Sequence, residues 1–318
     1  MYNLLSKNIV LSFFITLIIS ICLGFQLFGI PDSQIVINSK VPLLNFFVEE
    51  WGLTLFKFRV LFYILNIFVA FYLAYLLADV KISNIFSFVP SIIYLIHVSF
   101  ALKMQLNIEM FFQLIFLVLS THFISLLLKE KKSVDYFFAT GFVLGFLILL
   151  QFHYIVYLIF YLIIIYRFQT RGVKDLLAFF IGLGTIIFLL FSYLYLSNKL
   201  EYITNFSFFH IGKIKIVNSW GAILFCVIIL IEWLSFSPKV NVLNISNRKL
   251  YFFFLIMFVS SIFIATIRLL DGQNDFLNLS YFGGVYLSSI VITVKSKKIN
   301  NIILILLLLG FLINFAIQ

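Results

Sequence analysis

Apolar runs of about 18 or more residues recur along this chain from end to end, and short segments between them carry most of its charge. A run of that length is what one helix needs to cross a hydrocarbon layer of about 30 Å. In lipid every backbone N–H and C=O must find its partner within the protein, which leaves only helices or closed barrels. Barrel strands alternate apolar and polar residues over about 10 positions, and no such alternation dominates here. The expected fold is therefore all-α: a polytopic transmembrane helical bundle of about 11 spans, in a single integral membrane domain over 1–318. Composition agrees, since 64% of the residues are hydrophobic and 11% charged, far from the balance of a soluble domain.

The net charge of +10 invites a nucleic-acid partner. Placement argues against one, because the basic residues cluster in short loops between apolar runs. This is the bias that orients membrane helices. Lys7 ahead of the first run puts the expected N-terminus in the cytoplasm. No small-residue cleavage pattern follows that run, so it is kept as the first span and not as a signal peptide. Inner segments then collect fourteen of the 22 basic residues, among them Lys129, Lys131, Lys132, Arg167, Arg171 and Lys174.

The spans fall at Asn8–Ile30, Phe58–Ala78, Ile85–Ala101, Ile108–Leu128, Leu176–Leu196, Ala222–Phe236, Tyr251–Ile267, Phe282–Val294 and Ile302–Ile317. Tyr136 to Tyr166 is too long for one ordinary span and short for two. Gln151 and His153 break the stretch, and basic loops on both sides favour a hairpin of two short helices with His153 near its outer tip. Gly182 and Gly184 would allow close helix packing. Three segments face outward on this map: 31–57, 197–220 and 268–281. In the first, Pro42–Phe56 has the composition of a short helix lying in the interface. No inverted repeat is evident, which weakens a transporter reading.

Motif chemistry is sparse. No phosphate-cradling glycine loop, dinucleotide fingerprint, HExxH or GxSxG occurs. His97, His122, His153 and His210 are scattered, so a divalent metal would need long-range convergence, and no cofactor is indicated. Cys22 and Cys226 lie inside apolar runs and read as small packing residues. The 43 Phe and 16 Tyr read mostly as lipid-facing and packing surface.

What remains is a set of charges at the outer face, where ionisable groups are costly unless they are paired, solvated or used. Asp32 follows the first span almost at once, at the depth of a lipid head group, and a carboxylate there could take the proton of an acceptor hydroxyl. Lys57, Arg59 and Arg268 lie at outer helix ends, against the inner bias, and could hold the phosphate of a lipid-linked donor. His153, Glu109, Glu49 and Glu50 complete the outer candidates. Each also has a structural role open to it: a turn for Asp32, snorkelling for Lys57 and Arg59, and the wet face of an interfacial helix for Glu49 and Glu50.

Two resemblances bear on these residues. The stretches HVSFALKMQLNIEMFFQLIFLVL, HFISLLLKEKKSVDYFFATGFVLGFLILLQFHYIVYLIFYLIII and RGVKDLLAFFIGL, with KSKKINNIILILLLL near the end, resemble an uncharacterised multi-pass inner-membrane family of Bacteroidota. Its members are sometimes labelled carotene monooxygenases. An oxygenase would want clustered iron-ligating histidines, which the spacing here does not offer. The layout of the first outer loop resembles the GT-C class of glycosyltransferases: an inside N-terminus, one span, then an acidic residue and a short interfacial helix. That resemblance implies transfer or polymerisation of polyprenyl-phosphate-linked sugars in envelope glycan assembly. Its partners would be membrane lipid and a polyprenyl-phosphate sugar donor. Ser33 follows Asp32 where the class usually carries a paired acid. The competing expectations are a non-catalytic membrane subunit of an envelope-assembly or secretion complex and, third, a transporter.

Overall fold

The computed structural model describes residues 2–37, 44, 48–79, 86–101, 106–128, 134–168, 173–196, 198, 230, 245–270, 277–293 and 297–316. A six-residue helix α1 (Tyr2–Lys7) leads into α2 (Ile9–Gly29), α3 (Leu55–Asp79), α4 (Val89–Ala101), α5 (Ile108–Leu128) and α6 (Val134–Leu150). Then come α7 (Ile155–Phe168), α8 (Val173–Leu196), α9 (Ile245–Leu270), α10 (Leu277–Thr293) and α11 (Lys297–Ala316). Among the described residues, six of these helices are long and apolar enough to cross a membrane: α2, α3, α5, α8, α9 and α11. The chain is a multi-pass all-helical membrane bundle. The expected span Ala222–Phe236 and the loop 197–220 lie outside the described residues, apart from Asn198 and Leu230.

Local chemistry sets the helix starts. Asn8 caps α2 by accepting from Leu11 N at 3.0 Å, which separates it from α1, a helix not expected from the sequence. Thr54 caps α3 through Lys57 N at 3.3 Å, and Asn107 caps α5 through Met110 N at 2.8 Å. The stretch 136–166 does divide into two helices, α6 and α7, broken by a 3-10 turn at Phe152–Tyr154.

Several boundaries differ from expectation. Arg248 and Lys249 lie inside the first turn of α9, and Arg268 inside its last. The third outer segment, drawn as 268–281, is helical at both ends and leaves only 271–276, with Asp271 and Asp275, outside the described residues. A charged terminal turn lengthens each helix because a polar residue ends a hydropathy run without ending the backbone ladder.

The layering follows from which helices are apolar all round. From Val89 to Ser99 every side chain of α4 is buried, and so is α10 from Asn278 to Val291; these two form the centre and pack on each other. Gly284 of α10 lies under Tyr94, where an added Cβ would be 3.2 Å from the Tyr94 Cα. The outer helices keep large apolar side chains exposed, such as Phe14 and Phe25 on α2, Phe68 on α3 and Phe188 on α8, a surface suited to acyl chains.

Polar groups inside the bundle are mostly satisfied locally. Thr16, Ser99, Ser120, Ser260 and Ser261 each donate to a carbonyl three or four residues back. Of the aromatic residues expected as lipid-facing and packing surface, several tyrosines take the packing role. Tyr94, Tyr154, Tyr157, Tyr161, Tyr281 and Tyr286 are among the largest fully buried side chains. Several tie helices together through their hydroxyls. Tyr94 donates to Asn66 at 2.7 Å, Tyr281 to Thr121 at 3.0 Å, and Tyr251 meets Tyr286 at 2.7 Å. A ring with a polar tip can bridge two helices in lipid, whereas a Phe cannot.

Candidate functional site

Helix α2 ends at Gly29, and its last carbonyls have no partner within the helix. Arg59, in the second turn of α3, supplies them. Its Nη1 donates to Phe28 O at 3.3 Å and its Nη2 to Ile30 O. The same Nη2 meets Asp32 Oδ1 at 2.6 Å. A cation at a helix C-terminus also sits well against the helix dipole. The guanidinium is largely covered, with its side chain 13% exposed, while the Asp32 side chain is 70% exposed. One buried cation therefore pins the end of α2 and presents a carboxylate at the surface.

Asp32 opens a 3-10 turn, Asp32–Gln34, after which Ile35–Val36 (β1) pairs in parallel with Leu106–Asn107 (β2). Ile35 lies opposite Leu106 and Val36 opposite Asn107. This two-residue strap ties the first outer loop to the start of α5, two residues ahead of Glu109. Farther along, Leu44 and Val48–Glu50 are helical, and Glu49 and Glu50 are exposed. That helix stops short of Phe56. Gly52 N donates to Glu49 O at 3.1 Å and Leu53 N to Val48 O at 3.0 Å, with Gly52 at φ +51. These two bonds and the left-handed glycine make a Schellman ending. Most of Pro42–Phe47 lies outside the described residues. Lys57 then sits in the first turn of α3, its ammonium 3.0 Å from Gly52 O.

The other outer candidates gather where α5, α6, α7, α9 and α10 meet. Gln151, just after α6, donates from Nε2 to Glu109 Oε2 at 2.9 Å. His153 lies half-buried in the 3-10 turn that follows. Tyr154 closes that turn and receives a hydrogen bond from Asn278 at the start of α10. Tyr251, early in α9, bonds Tyr286, in the second half of α10, and only six residues separate the end of α9 from the start of α10, so the two helices run antiparallel. The end of α9 that carries Arg268, 4% exposed, is thus the end at which α10 begins. Asn314 near the end of α11 reaches Ser99 O near the end of α4, consistent with the same polarity. Asp32, Lys57, Arg59, Glu109, His153 and Arg268 thereby share one end of the bundle.

The geometry divides these residues by use. Arg59 and Asp32 are held together. Arg59, proposed from sequence as a phosphate ligand, turns its two terminal nitrogens to the carbonyls of Phe28 and Ile30 and to Asp32. Glu109 is oriented by Gln151. Sequence reasoning did not single out Tyr154, Asn278 or Gln113, and treated Gln151 only as a helix breaker. The available signal was an amide inside an apolar run, which is costly unless partnered or used. Among the described residues no three of His, Cys, Asp and Glu converge as metal ligands would. His122 bonds Tyr72 at 2.9 Å, and His97 lies against Ile93 O within its own helix.

Compared with known proteins, the chain matches no family model, no curated protein and no solved structure.

Proposed function

We propose that this chain is a GT-C-like transferase or polymerase of the bacterial inner membrane, acting at the periplasmic face on polyprenyl-phosphate-linked sugars in envelope glycan assembly. With a crossing at Ala222–Phe236 the chain would make about 11 passes and keep its N-terminus in the cytoplasm. The observation that carries the reading is the Arg59 clamp, which fixes an exposed carboxylate at the end of the first span. In this scheme Asp32 accepts the proton of an acceptor hydroxyl as that oxygen bonds the anomeric carbon. The bond from that carbon to the donor phosphate breaks, and the lipid phosphate leaves with the electron pair. Lys57 and Arg268 receive its negative charge, and Arg59 is a positioning residue.

The test is made in cells. Asp32→Asn and Arg268→Ala should each deplete an envelope glycan while the protein still accumulates in the membrane. Unchanged glycans in both would end the proposal.

A second reading has its own support, because Lys57 rests on Gly52 O and Arg59 on Asp32, charges satisfied within the chain where α2 ends and α3 begins. That is what a non-catalytic subunit of an envelope-assembly complex would show. It expects a partner that co-purifies at fixed stoichiometry and indifference to Asp32→Asn.

A further inference from the structure

We infer that the buried amides of Gln113, Gln151 and Asn278 form a neutral hydrogen-bonding subsite for the hydroxyl groups of an uncharged glycosyl unit. The inference rests on the transferase reading and names the part of the substrate that this corner of the bundle would hold. Gln113 is fully buried, Asn278 is 1% exposed and Gln151 is 5% exposed. Among the described residues, both amide atoms of Gln113, the Oε1 of Gln151 and the Oδ1 of Asn278 have no hydrogen-bond partner.

Their placement converges. Glu109 and Gln113 are four residues apart on α5, one turn or about 6 Å, and so lie on one face. Thr121 continues that face two turns deeper and receives Tyr281 from α10. Asn278 lies on α10 three residues before Tyr281, bonded to Tyr154 of the α6–α7 turn. Glu109 meets the same turn through Gln151. Gln113 is fully buried on α5 between the residue that meets that turn and the residue that meets α10.

An amide group buried without a partner costs roughly 1–3 kcal/mol. Gln113 keeps both amide atoms unpartnered against that cost, and Gln151 and Asn278 keep one carbonyl oxygen each, which points to a group that completes them. The free atoms define its chemistry. Three carbonyl oxygens need donors, and one N–H₂ needs an acceptor. A hydroxyl supplies both. A phosphate supplies only acceptors and would face three carbonyl oxygens, and an acyl chain supplies neither. The subsite is thus matched to the sugar and not to the phosphate or the lipid tail.

The experiment uses the full chain in nanodiscs with two probes, polyprenyl-phosphate glucose and bare polyprenyl phosphate. The wild type should bind the sugar-bearing lipid about tenfold tighter or more, and this comparison needs no variant. Gln113→Leu should erase that difference and leave bare-lipid binding alone. It should also raise the unfolding temperature of the ligand-free protein, because it removes an unsatisfied amide at nearly equal volume. Equal wild-type affinity for the two probes would overturn the subsite while leaving phosphate recognition standing. So would a Gln113→Leu protein that is less stable yet keeps the preference. If neither probe binds, the transferase reading falls and the subsite falls with it.

Discussion

Single side chains at the end of α2 do two jobs at once. Arg59 satisfies carbonyls that a helix must leave open and also orients the carboxylate that the sequence marked for chemistry. Arg59→Ala should therefore destabilise the protein by about 1–3 kcal/mol, the range for hydrogen bonds to a charged group, read as a lower unfolding temperature in detergent. Asp32→Asn should cost under about 1 kcal/mol, because the Asp32 side chain is 70% exposed and the Asn carbonyl can still accept from Arg59. A loss of glycan product in Asp32→Asn at unchanged unfolding temperature would then be a chemical effect and not a folding one. The candidate Asp32 was legible because an acid stood beside a span in a chain poor in charge. Its pairing with Arg59 was not legible, since Arg59 lies on another helix.

Helix elements are locked by glycine where they cross. An added Cβ on Gly141 would fall 2.0 Å from Phe179 O, and one on Gly182 would fall 2.1 Å from Phe138 O. Gly145 approaches Ile186 in the same way. The contacts advance together along α6 and α8, so these helices run parallel and nearly touch backbone to backbone. Close packing was anticipated through both Gly182 and Gly184; it holds for Gly182 and not for Gly184, and the partner pair Gly141 and Gly145 of α6 was not foreseen. Gly184 has nothing within 4 Å. Gly182→Leu should abolish a monodisperse peak in size-exclusion chromatography, while Gly184→Leu should leave it intact. At the turn before α3, Gly52 holds φ +51. Gly52→Ala should cost about 1 kcal/mol through backbone strain alone, measurable by thermal unfolding. Spacing reveals that small residues exist on a helix. Only the packed bundle reveals which of them face a neighbour and which face lipid.

At the scale of the whole molecule, alternating helices gather the outer candidates at one end and put the basic helix starts, such as Lys174 of α8 and Lys298 of α11, at the other. Single cysteines at Glu50 and Lys57, in a background without Cys22 and Cys226, should react with an impermeant maleimide added outside intact cells. Cysteines at Lys174 and Lys298 should react only after permeabilisation. The reverse pattern would turn the candidate site to the cytoplasm. Hydropathy by itself determined that this chain crosses a membrane repeatedly as helices, because transfer of each apolar run into lipid is a local property that sums over about 20 residues. Charge placement determined the expected orientation for the same reason. The strap of Ile35–Val36 on Leu106–Asn107 was decided only in three dimensions, and so were the tyrosine bridges and the meeting of Glu109, Gln151 and Asn278. Such contacts join residues far apart in the chain, and in lipid their strength depends on whether any other partner is within reach, which no local pattern records.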